Sequence, residues 1–390
     1  MFSSSDYPIV ASPPPLSLYI HIPWCVRKCP YCDFNSHAVN GDLPEADYVT
    51  ALLSDLEQDL PRVAGRTVET VFIGGGTPSL FSPEAIHMLL EGVRARVSLS
   101  PDAEITLEAN PGTAESSKFC GFRAAGINRL SMGVQSFNDR HLQALGRIHD
   151  SHEAEMAAEI AVAAGFANFN LDLMFGLPGQ TCDEALADIR RAVRLNPTHL
   201  SFYQLTLEPN TLFHRFPPPL PNDETIWEIQ EACQALLAEQ GYRQYEVSAY
   251  AKPSFRCRHN ENYWRFGDYL GIGAGAHGKL TDESGNITRI WKTRHPLRYL
   301  ESAGASSGIG GSTLVEQAEL PLEFMMNHLR LREGFAESAI TSLTGLTMSA
   351  FEPALSRCFE TGLLESHAGH IRCTDQGWNF LDEVLTQFVK

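Results

Sequence analysis

Residues 19–32 of the chain read YIHIPWCVRKCPYC, an apolar run that leads directly into three cysteines. The run predicts a buried strand over residues 16–22, and the cysteines follow it at the spacing C-x3-C-x2-C. In barrels built from βα units, active sites lie at the carboxyl ends of the strands, which is where Cys25, Cys29 and Cys32 fall. With nine cysteines in 390 residues, chance rarely produces this spacing, so it indicates a metal or cluster site.

Short β-branched runs alternate with longer amphipathic segments along the first half of the chain. This alternation predicts βα units around a parallel sheet. Periodicity alone allows either a partial barrel or an open doubly wound sheet. The predicted strands are 16–22, 68–73, 104–109, 129–132, 168–174 and 198–204, and the predicted helices are 45–60, 83–97, 114–125, 152–164 and 183–195.

The alternation ends at a proline-rich loop that begins near Phe216. Beyond it, a helix over 224–240 and a strand over 244–250 are predicted to extend the barrel. Short helices and a final strand pair predict a winged-helix-like C-terminal domain, whose lack of a Lys/Arg-rich recognition helix argues against DNA binding. The predicted division is a flexible N-terminus over 1–15, a barrel over 16–215, a barrel extension over 216–302, a Gly/Ser-rich linker over 303–312 and the C-terminal domain over 313–390.

The chain is acidic, with 30 Lys and Arg against 47 Asp and Glu and a formal charge of −17. Such a surface repels phosphate backbones, so general nucleic-acid binding is disfavoured. The first 15 residues contain no Lys or Arg, and no apolar run reaches the length of a membrane span, so we expect neither a secretory signal nor a transmembrane helix. We therefore expect a cytoplasmic protein, in which an odd number of cysteines favours metal binding or free thiols over disulfides.

Three thiolates on one short loop can hold three irons of a [4Fe-4S] cluster and leave the fourth iron open to another ligand. An open iron indicates chemistry rather than simple electron transfer. Two alternatives remain, a zinc site completed by His21 or His37 and a set of three unrelated buried thiols. The other cysteines show no pair at metal-ligand spacing and are predicted to be buried thiols; they are Cys120, Cys182, Cys233, Cys257, Cys358 and Cys373.

The cysteine spacing, with the aromatic Tyr31 before the third cysteine, resembles the signature of the radical S-adenosylmethionine (SAM) superfamily. A second match is GGGTP at 74–78, directly after the second predicted strand, where glycines let a ligand approach the backbone. The resemblance implies an α/β fold, a partial (β/α)6 TIM-like barrel with a small α+β C-terminal domain. It also implies that SAM chelates the open iron and is reductively cleaved to a 5′-deoxyadenosyl radical.

Further motifs resemble one branch of that superfamily, oxygen-independent coproporphyrinogen III oxidase and its relatives. They are LEANP at 107–111, RLSMGVQSF at 129–137 and DLMFGLP at 172–178. The resemblance implies that SAM contacts Tyr19, Tyr31, Gly75, Gly76, Thr77, Glu108, Gln135, Arg147 and Asp172. Their chemistry suits this role, because carboxylates can accept hydrogen bonds from an ammonium or from ribose hydroxyls and a guanidinium can pair with a carboxylate.

Three features separate the oxidases from the haem chaperones of the same branch. The oxidases carry a fourth cysteine where this chain has Phe34, and they have a longer extension than the 24 residues that precede Cys25 here. The third feature is HNENYW at 259–264, which resembles the H-N-x-x-Y-W motif of the haem chaperones. That resemblance implies haem contact by His259, Tyr263 and Trp264, since a histidine can ligate iron and aromatic rings offer a flat surface to a macrocycle.

The glycine-rich segment 271–278 contains G-x-G-x-x-G, but it does not open a βαβ unit, so a dinucleotide site is rejected. A tight turn that faces the SAM or haem pocket fits better, with His277 as a second candidate haem ligand. The resemblances together favour a radical-SAM haem chaperone that passes haem to an acceptor protein and takes electrons for its cluster from a donor. The alternatives are coproporphyrinogen III oxidation by the same cluster and SAM sites, and a zinc-stabilised binding protein.

Overall fold

The structure is a computed structural model and describes residues 13–63 and 65–389. Most of the segment 1–15, predicted to be flexible, lies outside these residues. The strands are β1 (Leu16–Ile22), β2 (Trp24–Cys25), β3 (His37–Ala38), β4 (Val68–Gly75), β5 (Leu99–Ala109), β6 (Arg129–Gln135), β7 (Phe169–Phe175), β8 (His199–Gln204), β9 (Arg243–Glu246), β10 (Ala249–Ala251), β11 (Asp268–Ile272), β12 (His277–Thr281), β13 (Ile287–Lys292), β14 (Ile309–Leu314), β15 (Phe335–Ala336), β16 (Leu364–His367) and β17 (His370–Cys373).

The α-helices alternate with these strands through the first half of the chain and dominate its C-terminal part. They are α1 (Glu45–Asp59), α2 (Pro83–Arg94), α3 (Ser116–Ala125), α4 (Asp139–Ala144), α5 (Ser151–Ala163), α6 (Cys182–Arg194), α7 (Leu212–Arg215), α8 (Asp223–Glu239), α9 (Arg258–Trp264), α10 (Pro296–Ser302), α11 (Leu320–His328), α12 (Ser338–Thr344), α13 (Ala354–Glu360), α14 (Asp375–Asn379) and α15 (Leu381–Thr386).

The six predicted strands are confirmed as β1, β4, β5, β6, β7 and β8, which pair in parallel and stand side by side in chain order. A doubly wound sheet reverses its strand order at a switch point, whereas a barrel-type sheet does not. The observed strand order therefore shows a barrel-type sheet and not a doubly wound sheet. Among the described residues the ends of the sheet, β14 and β9, do not pair with each other, so the barrel is partial.

Local sequence signals explain where the barrel helices begin. Helix α5 starts with a capping box between Asp150 and Glu153, and α6 starts with one between Thr181 and Glu184. Between the helices, the strands carry near-continuous apolar runs because a parallel sheet is buried on both faces. In β1, for example, Leu18, Ile20 and Ile22 are fully buried.

Beyond the barrel strands, β11 joins the free edge of β1 in parallel, and β12, β13 and β14 continue the sheet in antiparallel fashion. This corrects the prediction of a linker over 303–312, because Ser312 of β14 pairs with Ile290 of β13. The glycines there serve close packing: a Cβ at Gly311 would lie 2.2 Å from the ring of Trp291. The Gly/Ser-rich composition of this segment suggested a flexible linker, but Gly311 lies there because the Trp291 ring leaves no room for a larger side chain.

The C-terminal part has its own core, centred on Phe324, Phe351 and Ile371. Its elements follow the order helix, strand, two helices and a strand hairpin, from α11 through β15, α12, α13, β16 and β17. This order supports the winged-helix-like arrangement, which stays a prediction. Within the described residues, no helix is both long enough and apolar enough to cross a bilayer.

Candidate cluster, SAM and haem sites

A cavity opens at the carboxyl ends of the parallel strands, and we call it the cysteine cavity. It is lined by the three predicted cluster ligands Cys25, Cys29 and Cys32. It is also lined by eight of the nine predicted SAM residues, Tyr31, Gly75, Gly76, Thr77, Glu108, Gln135, Arg147 and Asp172. Sequence reasoning missed Arg27, Ser36, Asn110 and Tyr203 in this cavity. Tyr203 could have been predicted, because it lies near the carboxyl end of the predicted strand 198–204, and several of the predicted SAM residues lie near the ends of their own strands.

The cysteine loop is fixed at both ends. Cys25 belongs to β2, which pairs with β3 after the loop, and the amide of Cys32 donates to the carbonyl of Cys29 at 3.2 Å. Cys25 is buried, while Cys29 and Cys32 are half-buried. Burial raises the pKa of the Cys25 and Cys32 thiols, so a metal centre is what would hold them as thiolates.

The histidines proposed for a zinc site are engaged elsewhere. The ring of His21 shares hydrogen bonds of 2.9 Å with the Tyr19 hydroxyl and, through its other nitrogen, with the carbonyl oxygen of Asn35. The Nε2 of His37 lies 3.3 Å from Oδ1 of Asn35. Three thiols without a histidine partner suit the soft irons of a [4Fe-4S] cluster, so the donor set fits the cluster that the sequence implied.

The glycine loop after β4 packs directly on the cysteine segment. A Cβ at Gly76 would lie 2.5 Å from the backbone oxygen of Trp24, and Gly75 has a φ of 120°, in the left-handed region. The amide of Thr77 donates to the same Trp24 oxygen at 2.7 Å. Only glycine allows this approach, which sets the loop against the cluster ligands and leaves backbone beside the cavity.

Two half-buried carboxyl groups, on β5 and β7, face the cavity. Burial and the nearby Asp172 raise the pKa of Glu108 to about 8, although Glu108 accepts a hydrogen bond of 3.0 Å from the Gly75 amide. Burial also raises the pKa of Asp172, whose Oδ1 accepts from the Asn170 amide at 2.7 Å. A cation or a hydroxyl donor would stabilise the ionised form of these two carboxyl groups. The ammonium and the ribose hydroxyls of SAM are groups of this kind.

Arg147 supplies the positive charge of the cavity. Its Nη1 lies 3.7 Å from Sγ of Cys29 and its Nη2 donates to the Gly133 carbonyl at 2.6 Å, while its buried Nε has no partner among the described residues. Gln135 sits opposite with a φ of 69°, unusual for a non-glycine residue, and accepts a hydrogen bond of 2.8 Å from the Tyr203 hydroxyl. Such backbone conformations persist where the surroundings impose them, often at functional sites.

A second cavity of about 570 Å³ lies beside the first, and we call it the aromatic cavity. It is lined by Tyr19, His21, Asp33, Phe34, Asn35, Tyr263, Trp264, Tyr269, Gly275, His277, Lys279, Arg289, Arg294 and Asn327. Tyr19 lines this cavity and not the cysteine cavity, and its predicted contact with SAM stays a prediction. Phe34 lines both cavities, so the segment after the third cysteine forms a wall that they share.

Two members of the HNENYW motif line the aromatic cavity, but His259 does not. Its side chain is 1% exposed, and its Nδ1 and Nε2 lie 2.8 Å from Thr70 Oγ1 and from the Tyr263 hydroxyl. Thr70 donates its own proton to Ser17, so it accepts from Nδ1 and leaves Nε2 to accept from Tyr263. Both ring nitrogens are used within the protein, so the predicted haem contact by His259 would require one of these hydrogen bonds to break.

Helix α9, which carries this motif, is anchored to the barrel. The carboxylate of Glu104 accepts from the His259 amide at 3.1 Å, and the side chain of Asn262 donates to the carbonyl of Asp268 at 2.9 Å. His259 and Asn262 therefore position Tyr263 and Trp264.

Among the remaining cysteines the prediction of burial holds for Cys233, Cys257, Cys358 and Cys373, but it is wrong for the exposed Cys120 and the half-buried Cys182.

Comparison with known proteins places this geometry in a family. Residues 19–192 match the model of the radical SAM superfamily, and residues 315–380 match that of the HemN C-terminal domain. The chain is 53% identical to "Heme chaperone HemW" of Escherichia coli (strain K12), with 96% of this chain and 98% of that protein covered. The chain belongs to the HemW family.

Other HemW proteins extend the match across distant bacteria. The protein of Haemophilus influenzae is 51% identical over 96% of this chain and 98% of its own, and that of Mycobacterium tuberculosis (strain H37Rv) is 35% identical over 95% and 94%. Among solved structures, coproporphyrinogen III oxidase (HemN) of Escherichia coli, described as a radical SAM enzyme, superposes with a TM-score of 0.82. The two chains are 24% identical, with 97% of this chain and 91% of HemN covered, so HemW and HemN share a fold.

Proposed function

We propose that this HemW family member is a radical-SAM haem chaperone that binds a [4Fe-4S] cluster, SAM and haem and delivers haem to acceptor haemoproteins. The observation that carries the proposal is the pairing of two adjoining cavities. The cysteine cavity presents three cysteines together with two carboxyl groups and Arg147, and the aromatic cavity presents aromatic side chains. The relatives named haem chaperones, matched over nearly the whole chain, support the same function.

The cysteine cavity would hold the cluster and SAM. Cys25, Cys29 and Cys32 would supply three thiolates, and the bound cluster, when reduced, supplies electrons for cleavage of SAM to a 5′-deoxyadenosyl radical. Glu108 would take the SAM ammonium, a role that its position beside Asp172 favours because a bound cation relieves the repulsion between the two carboxylates. Arg147 lies against Cys29, where its charge stabilises the thiolate and attracts the SAM carboxylate.

The aromatic cavity would hold haem. A porphyrin needs flat apolar surface, which Tyr263, Trp264 and Tyr269 provide together. The two tyrosine rings meet edge to face, with centroids 4.5 Å apart. The shared wall at Phe34 would place haem next to the SAM site.

The alternative function, coproporphyrinogen III oxidation, shares the fold and the SAM site. Phe34 counts against it, since the oxidase pattern places a fourth cysteine there. In this chain that position holds an apolar ring, 62% exposed, which lines both cavities.

The partners in this proposal are a haem-acceptor protein and an electron donor for cluster reduction, and the location is the cytoplasm. All nine cysteines fall in the described residues and none is in a disulfide, which supports a reducing compartment. The net charge of −17 makes a nucleic-acid partner unfavourable.

One anaerobic experiment separates the two functions. Cluster-reconstituted protein is incubated with SAM, a reductant and coproporphyrinogen III, and 5′-deoxyadenosine and protoporphyrinogen are measured together. The same preparation is titrated with haem and then mixed with apomyoglobin as a surrogate acceptor. We expect deoxyadenosine without porphyrinogen turnover, saturable haem binding and haem transfer. Porphyrinogen turnover comparable to deoxyadenosine formation, or no haem binding, would overturn the chaperone proposal.

A further inference from the structure

We propose that haem in the aromatic cavity is ligated through its iron by His277 and held through a propionate by Arg294. This inference rests on the proposed function, because it assumes that haem is the cargo of the cavity. It moves the iron ligand from the HNENYW motif to the first residue of β12, directly after the glycine-rich turn. Two positions outside the motif thereby become determinants of haem recognition.

The first step concerns the histidines that line the cavity. They are His21 and His277, and both ring nitrogens of His21 are hydrogen-bonded within the protein. His277 differs, because its side chain is exposed and, among the described residues, no group forms a hydrogen bond with its ring. A neutral imidazole with a free nitrogen is the group that haem iron takes as an axial ligand.

The second step concerns how the ring of His277 is held. His277 pairs with Trp291 across β12 and β13, and the two rings stack with centroids 6.4 Å apart and an interplanar angle of 26°. Partial desolvation, together with the neighbouring cations Arg294 and Arg289, lowers the pKa of His277. The ring is therefore oriented by packing and is neutral at physiological pH, as iron ligation requires.

The third step concerns charge, because haem carries two propionates. Three basic side chains line the cavity, but Arg289 is paired with Glu323 and the buried Lys279 with Asp268. Arg294 is exposed, and no acidic side chain of the described residues forms a salt bridge with it. It is thus the lining cation that remains available to a carboxylate of the ligand.

The backbone around these two residues is fixed to the cysteine loop. The side-chain amide of Asn35, three residues after Cys32, donates to the carbonyls of both Ala274 and Arg294 at 2.8 Å. A Cβ at Gly275 would lie 2.5 Å from that amide nitrogen. The segments that carry His277 and Arg294 are therefore held together by one residue of the loop that would bind the cluster.

The test uses full-length, cluster-loaded protein and ferric haem, followed by difference absorption and electron paramagnetic resonance. The variants are His277→Ala and Arg294→Ala. Their controls are His87→Ala, an exposed histidine of α2, and Arg298→Ala, an exposed arginine of α10 outside the cavity. All four positions are exposed, and a thermal melt verifies that each variant is folded.

We expect His277→Ala to lose the spectrum of histidine-ligated haem and to regain it with added imidazole, whereas His87→Ala keeps it. We expect Arg294→Ala to weaken haem binding roughly three- to tenfold, the range for one partly desolvated ion pair. Haem dimethyl ester, which has no free propionate, should bind wild type and Arg294→Ala equally. An unchanged spectrum in His277→Ala, or equal weakening with the ester, would overturn the inference and leave the proposed function standing. Wild-type protein that binds no haem would overturn the proposed function itself.

Discussion

The Nε2 of His259 lies 2.8 Å from the hydroxyl of Tyr263, one turn further along the same short helix. On its other side the ring is bonded to Thr70 of β4, the strand that leads into the glycine loop. The histidine of the HNENYW motif thus connects the barrel sheet to a wall of the aromatic cavity. Burial lowers the pKa of His259 to about 3, so the ring stays neutral in this position.

Replacing His259 should therefore reveal a structural role. His259→Ala leaves the Thr70 and Tyr263 hydroxyls without their partner and opens a void, so we expect a loss of about 2 to 4 kcal/mol in the free energy of unfolding. Urea unfolding measures this loss, and haem titration should show weaker binding with the axial-ligand spectrum of wild type. Loss of that spectrum in the folded variant would instead make His259 the iron ligand.

The cluster assignment is tested by one cysteine. Cys29→Ala should abolish the brown species that absorbs at roughly 400 nm after iron and sulfide reconstitution, because a site-differentiated cluster needs all three thiolates. Iron and sulfide analysis gives the same information independently of colour. Cys120→Ala, an exposed cysteine outside the loop, is the matched control and should retain full absorbance. Full absorbance in Cys29→Ala would contradict the ligand set.

The glycine loop gives a steric prediction. In Gly76→Ala the new methyl group would meet the Trp24 carbonyl, so we expect destabilisation of about 1 to 3 kcal/mol and loss of SAM binding in equilibrium dialysis. Gly112→Ala is the control, because its Cβ would approach no atom closer than 3.3 Å, and that atom belongs to the flexible side chain of Ile148. Equal SAM binding by both variants would show that the loop does not approach the ligand.

Glu108 predicts a pH dependence of stability. In the unfolded chain a glutamate ionises near its ordinary pKa of about 4.3, but in the folded protein its pKa is about 8. Between these values folding takes up a proton, so the contribution of Glu108 to stability falls as pH rises and is lost above about pH 8.

Glu108→Gln removes this titration. Urea unfolding of the cluster-free protein at pH 5.5 and 8.5 should show that the variant gains about 2 to 5 kcal/mol relative to wild type over that interval. The exposed Glu231→Gln on α8 is the control and should follow wild type at both pH values. A variant-to-wild-type difference that does not change with pH would show that Glu108 is ionised in the folded protein.

The cysteine cavity could be predicted almost residue by residue, and the reason is topological. Cys25 lies just beyond the carboxyl end of β1, and Glu108 and Gln135 lie at the carboxyl ends of β5 and β6; these ends meet at one edge of the parallel sheet. The motifs that resemble the family indicated which residues to expect, and the strand positions explain why these residues meet. Tyr203 lies at the same edge and was missed because none of those motifs includes β8.

The aromatic cavity could not be predicted in this way. Its walls come from distant parts of the chain, such as Tyr19 in β1, Arg289 in β13 and Asn327 in α11. No periodic signal places β11 beside β1 or predicts the antiparallel strands that follow it. The hydrogen bonds of His259 could not be predicted for a related reason: a sequence motif shows that a histidine is present but not which groups bond its two nitrogens.

The strand at Ile309–Leu314 has a mechanical consequence for haem release. Because it is paired with β13, only residues 315–319 separate the large sheet from α11. The C-terminal part is further pinned by the guanidinium of Arg330, 4.2 Å from the ring of Trp264. The short tether and this contact hold α11, which supplies Asn327 to the aromatic cavity, close to the large sheet. We therefore expect haem exchange to leave this wall of the cavity in place.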